Sequence, residues 1–444
     1  MEAPSRWLLL QYSALAFPLA FAGLPLYIHA PDFYSYHLGL GLGSIGVILL
    51  LVRLFDAVQD PLIGYFSDRY PAQRSAILVG GIGVLTLGLL TLFYGPQFSI
   101  ATSYWFAGSM LLATTGFSVV VININMIGGF WLKDKNQRTR IATWRESFAL
   151  LGLLVASILP TLLLSFTDAT QAFKWLFLIY AILLLPAYFL FNRFLHQVDL
   201  RHLAVSKIST SKTLFDQDFF EILKDKQSLF FLTYLLAQIS AVLPAVLVLF
   251  FIRDYLGAES YSGLFLFLYF VSGAALMQVW FVLSKKLDKY RAWLISMLLS
   301  IITFIWVLML QPGDIISYSM ICILSGLAFG ADLALPASIV ADRINASKAE
   351  SRATQYYGVM AFIPKIALAL ASGCAFLILD KNGFVVATQN SQTALQSLLL
   401  LYGLVPCMIK LLAAFCLWML IKTQGEDDEY NQKRSTYYGS NDVS

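Results

Sequence analysis

Charge is what this sequence has least of. Only 13% of its 444 residues are Asp, Glu, Lys or Arg, 59% are hydrophobic, and the mean hydropathy is +0.72. Soluble domains carry roughly 25% charged residues, so the chain reads as an integral membrane protein. Cysteine and histidine are also scarce, at four each. Cys322, Cys374, Cys407 and Cys416 lie far apart inside apolar runs. Their spacing excludes a metal cluster or a redox pair and leaves them as small apolar fillers. No nucleotide-binding loop is present: the glycine-rich GLGLGSIG at 39–46 lacks the strand–helix context of a dinucleotide site. No nucleophile–base arrangement occurs either, so the chain is not an enzyme, needs no cofactor, and must draw energy from an ion gradient. The net charge of +4 does not point to nucleic acid, because the basic residues sit in short loops between apolar spans.

What the chain has in abundance is apolar runs of about 20 residues, the length that crosses a bilayer. Twelve are expected, near 7–29, 43–66, 75–95, 103–131, 141–164, 175–194, 229–252, 262–283, 291–310, 317–341, 355–379 and 395–421. The first follows a lone Arg6, outruns a signal peptide's apolar core and has no cleavage site, so it reads as a retained span. Pro18 and Pro25 in the first span and Pro336 in the tenth mark expected breaks. Of the 30 lysines and arginines, 23 fall on one side of the alternating segments and only Lys174, Arg253 and Lys381 on the other. That bias places both termini in the cytoplasm.

The organisation that follows is an all-α membrane protein of two six-helix halves. The N-terminal half covers 1–195 and the C-terminal half 229–422. Residues 196–228 form a cytoplasmic middle loop, in which TLFDQDFFEILKDKQ reads as an amphipathic interfacial helix. Residues 423–444, polar and acidic at GEDDE, read as a disordered cytoplasmic tail. Ser67-Asp68-Arg69-Tyr70 after the second span is echoed by Leu287-Asp288-Lys289-Tyr290 after the eighth. Two parallel repeats would enclose a substrate cavity near the midplane.

The scarce charges inside the spans carry the functional signal. Arg53, Asp56 and Asp60 fall at i, i+3 and i+7 on one helical face. Each would cost about 2.5–3.5 kcal/mol at the bilayer centre, so the face must meet a polar cavity. Asp56 and Asp60 also repel each other unless something sits between them. A sodium ion, a shared proton or a lysine would each resolve the conflict, and neutralisation of Asp56 by Arg53 alone would leave Asp60 unexplained. Lys365 lies about ten residues from either end of its span, too deep to snorkel. It is expected to pair with Asp56 or Asp60, or with a local acid such as Asp332. Asp68, Arg69 and Arg74 read as a gate at the end of the second span. In the fourth span Thr114, Thr115, Ser118, Asn123 and Asn125 are candidates to line the cavity or to join helices. Ser118 would complete a cation site, and Asn123 and Asn125 would bond a polar substrate. Trp144, Arg145 and Glu146 open the fifth span, where Arg145 binds substrate or pairs with Glu146.

The run R-x-x-D-x-x-x-D-P-x-x-G-x-x-x-D-R from Arg53 to Arg69 resembles the helix-2 signature of the glycoside–pentoside–hexuronide:cation symporters. These form the melibiose permease group of the major facilitator superfamily. KDKNQRTRIATWRESFALLG (133–152) and LALPASIVADRINASKAESRATQYYGVMAFIPK (333–365) resemble the same family's helix 4–5 and helix 10–11 regions. The resemblance implies a cation site at Asp56 and Asp60 with Ser118 and Lys365 beside it. It also implies a sugar site between helices 1, 4, 5 and 11 that includes Arg145. The two sugar-binding aspartates of the melibiose permease have no counterpart here: FPLAFAGLPLY in the first span carries no charge, and Val121, Ile122 and Asn123 stand at the helix-4 position.

The expectation is therefore a monomeric, inner-membrane, cation-coupled (Na+ or H+) symporter of a small solute, a sugar or glycoside, surrounded by membrane lipid. Two other readings stand beside it. One is a non-sugar, amphipathic or lipid-like substrate, favoured by Phe17, Phe21 and Tyr27 in the first span. The other is a membrane receptor that does not transport.

Overall fold

A hydrocarbon core about 30 Å thick demands helices of about 20 residues, and the apolar runs deliver them. The structure is a computed structural model and describes residues 4–70, 73–96, 99–130, 135–198, 226–346 and 353–439. The N-terminal half consists of α1 (Arg6–Tyr36), α2 (Leu42–Arg69), α3 (Arg74–Tyr94), α4 (Thr102–Phe130), α5 (Lys135–Phe166) and α6 (Ala169–Gln197). The C-terminal half begins with α7 (Ser228–Tyr255) and α8, which comes in two pieces, Ser262–Ala275 and Met277–Leu287. It continues with α9 (Lys289–Met309), α10 (Ile315–Ala346), α11 (Ala353–Lys381) and α12 (Gln392–Thr423). Eleven of these are single spans by length and composition, and the bent α8 makes the twelfth.

The helices are sided as lipid requires. On α6, Ile182, Leu185 and Phe189 are exposed, while Phe173, Leu176, Tyr180, Leu184 and Phe191 on the opposite face are buried. An exposed apolar stripe is stable only against hydrocarbon. Ser5 starts α1 by accepting from the Leu8 N–H at 3.2 Å, and Ser391 does the same for Ala394 at the start of α12.

Proline positions predict the breaks only in part. α1 is interrupted near Ala14 and widens into a π-helical turn at Pro25–His29, but α10 passes through Pro336 without interruption. α8 instead bends by 40° at Leu276, with no proline nearby. The bend follows Gly273, where α8 lies so close to α10 that a Cβ would sit 3.0 Å from the Gly326 carbonyl oxygen. Further π-helical turns occur at Phe251–Tyr255 in α7 and Leu400–Leu404 in α12. The last helix runs on to Gly439, past residue 423 where disorder is expected. No proline interrupts the sequence there. The amphipathic helix expected in the middle loop lies outside the described residues.

The halves meet along two crossings, α2 with α11 and α5 with α8. At Gly46 of α2 a Cβ would lie 3.0 Å from Phe376 Cβ and 3.2 Å from the Gly373 carbonyl oxygen of α11. At Gly263 of α8 a Cβ would lie 2.8 Å from Thr161 Oγ1 of α5, and the neighbouring Ser262 shares a 3.0 Å hydrogen bond with Thr161. Both contacts lie toward the far face, the one opposite the termini.

Candidate functional site

The turn of α2 that carries Arg53, Asp56, Gln59 and Asp60 faces α4 and α11 near mid-span. Asp56 is buried and receives three donors: Ser118 Oγ at 2.8 Å, Gln59 Nε2 at 3.0 Å and Lys365 Nζ at 2.9 Å. Lys365 also bonds Asp60 Oδ2 and donates to Ser118 Oγ at 3.2 Å. One ammonium from the C-terminal half thus bridges two carboxylates of the N-terminal half. Of the three ways to relieve the Asp56–Asp60 repulsion, the structure contains the lysine. Arg53 is a looser partner, 3.7 Å from Asp56, with its guanidinium 4.0 Å above the Tyr27 ring. Thr115 extends the network by donating to Gln59 Oε1 at 3.0 Å.

Two features make this set chemically open. The Asp60 and Lys365 side chains keep 23% and 22% of their surface exposed, whereas Asp56 keeps 3%. Asp60 Oδ1 has no hydrogen-bond partner among the described residues. An unpaired carboxylate oxygen beside a hydroxyl and a second carboxylate offers the oxygen ligands that a hard cation prefers, or a place for a proton.

A second polar group gathers around Arg145 on α5. Its guanidinium bonds Asn125 Oδ1 of α4 and Glu146 Oε1, so both the cavity partner and the local acid are present. Trp144 stacks on Phe148, with ring centroids 6.5 Å apart. Asn123 does not reach the cleft: it is fully buried and donates to the Val119 carbonyl one turn earlier, at 2.8 Å. Two helical residues two apart point to different sides, so Asn125 and Asn123 cannot both face Arg145.

The residues expected to gate divide likewise. Arg69 is exposed and bonds Tyr65 Oη at 3.0 Å on its own helix, while Arg74 is buried and donates to the Ser67 carbonyl at 3.1 Å. Arg74 therefore ties the start of α3 to the end of α2 within one half. The Asp68 side chain lies outside the described residues. In the C-terminal half Lys289 pairs with Asp342, and Arg343 donates to Tyr290 Oη at 2.6 Å.

Sequence reasoning missed the ion pair at the opposite end. Arg253 of α7 sits 2.8 Å from Asp32 of α1 and 3.3 Å from Asp254, whose other oxygen accepts from the Ala387 N–H at 2.7 Å. Burial, reinforced by the Arg253 charge and opposed by Asp168, pushes the nearby His37 imidazole below its usual range. His37 therefore stays neutral at neutral pH and does not compete for Asp32. Ion pairs and side-chain hydrogen bonds join the halves at mid-span and at this far face. The seam is latched there.

Sequence reasoning also left Asp332 without a partner. Asp332 of α10 bonds Lys410 of α12 and accepts from Trp293 Nε1 of α9 at 2.8 Å. All three belong to the C-terminal half. Lys410 was legible only as a charge inside an apolar run.

Residues 11–422 match the MFS/sugar transport protein family. Curated relatives include the putative glycoside/cation symporter YagG of Escherichia coli K12, 32% identical over 130 residues, which is 28% of each chain. The inner membrane symporter YicJ of the same strain is 27% identical over 132 residues, 29% of this chain and 28% of that one. These two matches thus span under a third of either relative. The uncharacterized symporter YjmB of Bacillus subtilis 168 matches more widely, at 22% identity over 89% of this chain and 87% of its own. Among solved structures, the nucleoside transporter NupG superposes with a TM-score of 0.70 at 17% identity, covering 94% of this chain and 99% of that one. A bacterial homologue of the lysosomal transporter Spinster, solved inward-facing and unoccupied, gives 0.66 at 13% identity, covering 96% and 99%. At these identities the two structures establish the fold alone, that of a major facilitator transporter.

Proposed function

This chain belongs to the MFS/sugar transport protein family, and we propose that it is a secondary active symporter of a small solute, a sugar or glycoside, coupled to Na+ or H+. The observation that carries the reading is the bridge from Lys365 of one half to Asp56 and Asp60 of the other, with Asp60 Oδ1 left unpaired. A cation or proton arriving at Asp60 competes with Lys365 for the carboxylate. The seam contact then changes with ion binding, and so does the balance between the two rocked states of the halves. An ion that binds one state better than the other shifts that balance by its differential affinity. The glycoside and cation in the name of the E. coli relative support the solute and ion classes.

Both termini lie in the cytoplasm in this reading, following the loop charges. The Asp32–Arg253 latch then lies on the outer side. At 100 mV one inward charge supplies about 2.3 kcal/mol, on the order of 50-fold accumulation. The test is uptake of labelled sugars and glycosides into energised membrane vesicles under a sodium gradient, a proton gradient or neither. Uptake against a gradient with either ion supports the assignment and names the ion. Equal uptake under all three conditions, or unchanged accumulation by Asp60→Asn, rejects it.

An amphipathic solute is the second reading, favoured by the cleft between the halves. Its walls include Gly23 and Leu24 of α1, Leu150 and Leu153 of α5 and Leu333 of α10. Uptake that lysolipids compete for and no sugar does would select it.

A further inference from the structure

The C-terminal half contains a cavity that the ion-coupling set does not use. It lies between α7, α8, α10 and α12 and carries Asp332 and Lys410 on its wall. Lys410 is buried and bonds Asp332, and among the described residues its other two N–H donors face no protein acceptor. Tyr269 also lines the cavity, and its hydroxyl has no protein partner among the described residues, while Ser240 and Ser325 place two more hydroxyls on the wall. An ion pair this far from water is costly unless its remaining donors and acceptors are satisfied.

The cavity has a defined neighbour. Ile28, Phe270 and Phe329 line both it and the apolar cleft between the halves, so the two spaces adjoin. The inner space is about 100 Å³ and the cleft about 370 Å³. A single water needs roughly 10–15 Å³ on this scale, so the inner space holds one ring and the cleft a larger apolar body. Tyr27, on the cleft's edge, lies under the Arg53 guanidinium, which connects the cleft to the mid-span carboxylates.

We propose that this cavity is a solute subsite in the C-terminal half that binds the sugar ring of a glycoside, with the apolar aglycone lying in the adjoining cleft. The inference rests on the symporter reading and places where its solute binds. A sugar hydroxyl both donates and accepts, so one hydroxyl can bridge the Asp332 carboxylate and the free donors of Lys410. A neighbouring hydroxyl meets Tyr269. The C–H face of the ring packs on the aromatic wall of Phe270 and Phe329, and the aglycone is removed from water against Leu24, Leu150 and Leu153. A free sugar fills only the inner space, and a free aglycone fills only the cleft. The subsite therefore selects for the joined molecule.

The probes are 4-nitrophenyl α- and β-glucosides, galactosides and xylosides, the free sugars, and 4-nitrophenol, measured by equilibrium dialysis on the detergent-purified full chain. At least one nitrophenyl glycoside is expected to bind about tenfold or more tightly than its free sugar and than nitrophenol. Tyr269→Phe removes a hydroxyl with no protein partner and should weaken that glycoside about tenfold. The double variant Asp332→Asn/Lys410→Gln keeps a neutral hydrogen-bonded pair and should abolish binding, with an unchanged thermal melt certifying the fold. Equal binding by wild type, Tyr269→Phe and the folded double variant overturns the subsite. Binding of no nitrophenyl glycoside by the wild type overturns the substrate class. Vesicle uptake reports the symporter reading separately: glycoside binding without ion-driven uptake would remove the coupling and leave the subsite standing.

Discussion

The molecule contains two buried lysine–aspartate arrangements, and they differ in which bodies they join. Lys365 on α11 reaches across the seam to Asp56 and Asp60 on α2, whereas Lys410 on α12 meets Asp332 on α10 inside one half. The first is partly exposed on its Lys365–Asp60 side, and the second is closed, with side chains only 5% and 8% exposed. When two rigid halves rock, a bond inside one of them is carried along unchanged, and a bond between them must break or re-form. Only the seam pair can therefore report ion binding to the conformation. The inner pair is suited to keep its geometry through the whole cycle.

Removing one inner partner should have the largest effect on folding. Lys410→Met leaves Asp332 charged and buried, which costs about 3–5 kcal/mol. A thermal melt in detergent should show a large fall, substantially recovered when Asp332→Asn is added. If the single variant melts like the wild type, the two pairs do not differ in kind.

Asp60→Asn at the seam should do the reverse, sparing the melt and abolishing uptake against a gradient while solute exchange across vesicles continues. Loss of folding along with uptake would make this pair structural as well. A third variant sharpens what the seam needs. Gly46→Leu inserts a side chain where even a Cβ would stand 3.0 Å from Phe376 Cβ. The far face then cannot close, transport should fall at least tenfold, and thiol reagents should reach cysteines introduced there from outside.

Smaller effects are expected at the edges of the comparison. Arg253→Gln removes the Asp32 pair and should raise far-face thiol labelling several-fold, with folding changed little. Thr115→Val deletes one neutral hydrogen bond to Gln59, worth about 1 kcal/mol. Its expected signature is a several-fold change in the ion concentration for half-maximal uptake, with the maximal rate unchanged.

The parts of this molecule legible in the sequence are those that bilayer physics forbids to be otherwise. Apolar runs had to be spans, and Lys365, too deep to snorkel, had to find an acid. Asp332 was equally visible as a charge without a reason, but its partner was not. Lys410 lies 78 residues away, inside a run that hydropathy alone reads as uniform. Gln59 escaped notice because an uncharged amide between two acids carries no cost that demands explanation. Asn123 and Asn125 look alike in a list of polar residues, and only the helical phase separates the buried one from the partner of Arg145. Arg74 reads as a gate by its charge and position, and its bond to the Ser67 carbonyl at the end of the neighbouring helix could not be read from the sequence. The rule that finds buried charge is energetic, and the rule that pairs it is geometric.

The π-helical turns at Pro25–His29 and Phe251–Tyr255 lie in the first helix of each half, and the second of them carries Arg253. A π turn accommodates one residue more than the α-helix around it, and each residue advances a helix by about 100°. Shortening α7 by one residue before Arg253 would leave its composition nearly unchanged and swing the guanidinium about a quarter of the way round the helix, away from Asp32. The latch between the halves is thus specified by chain length as much as by residue type. In evolutionary terms an insertion or deletion there is a switch, acquired or lost in one step, where a substitution would be a gradual adjustment.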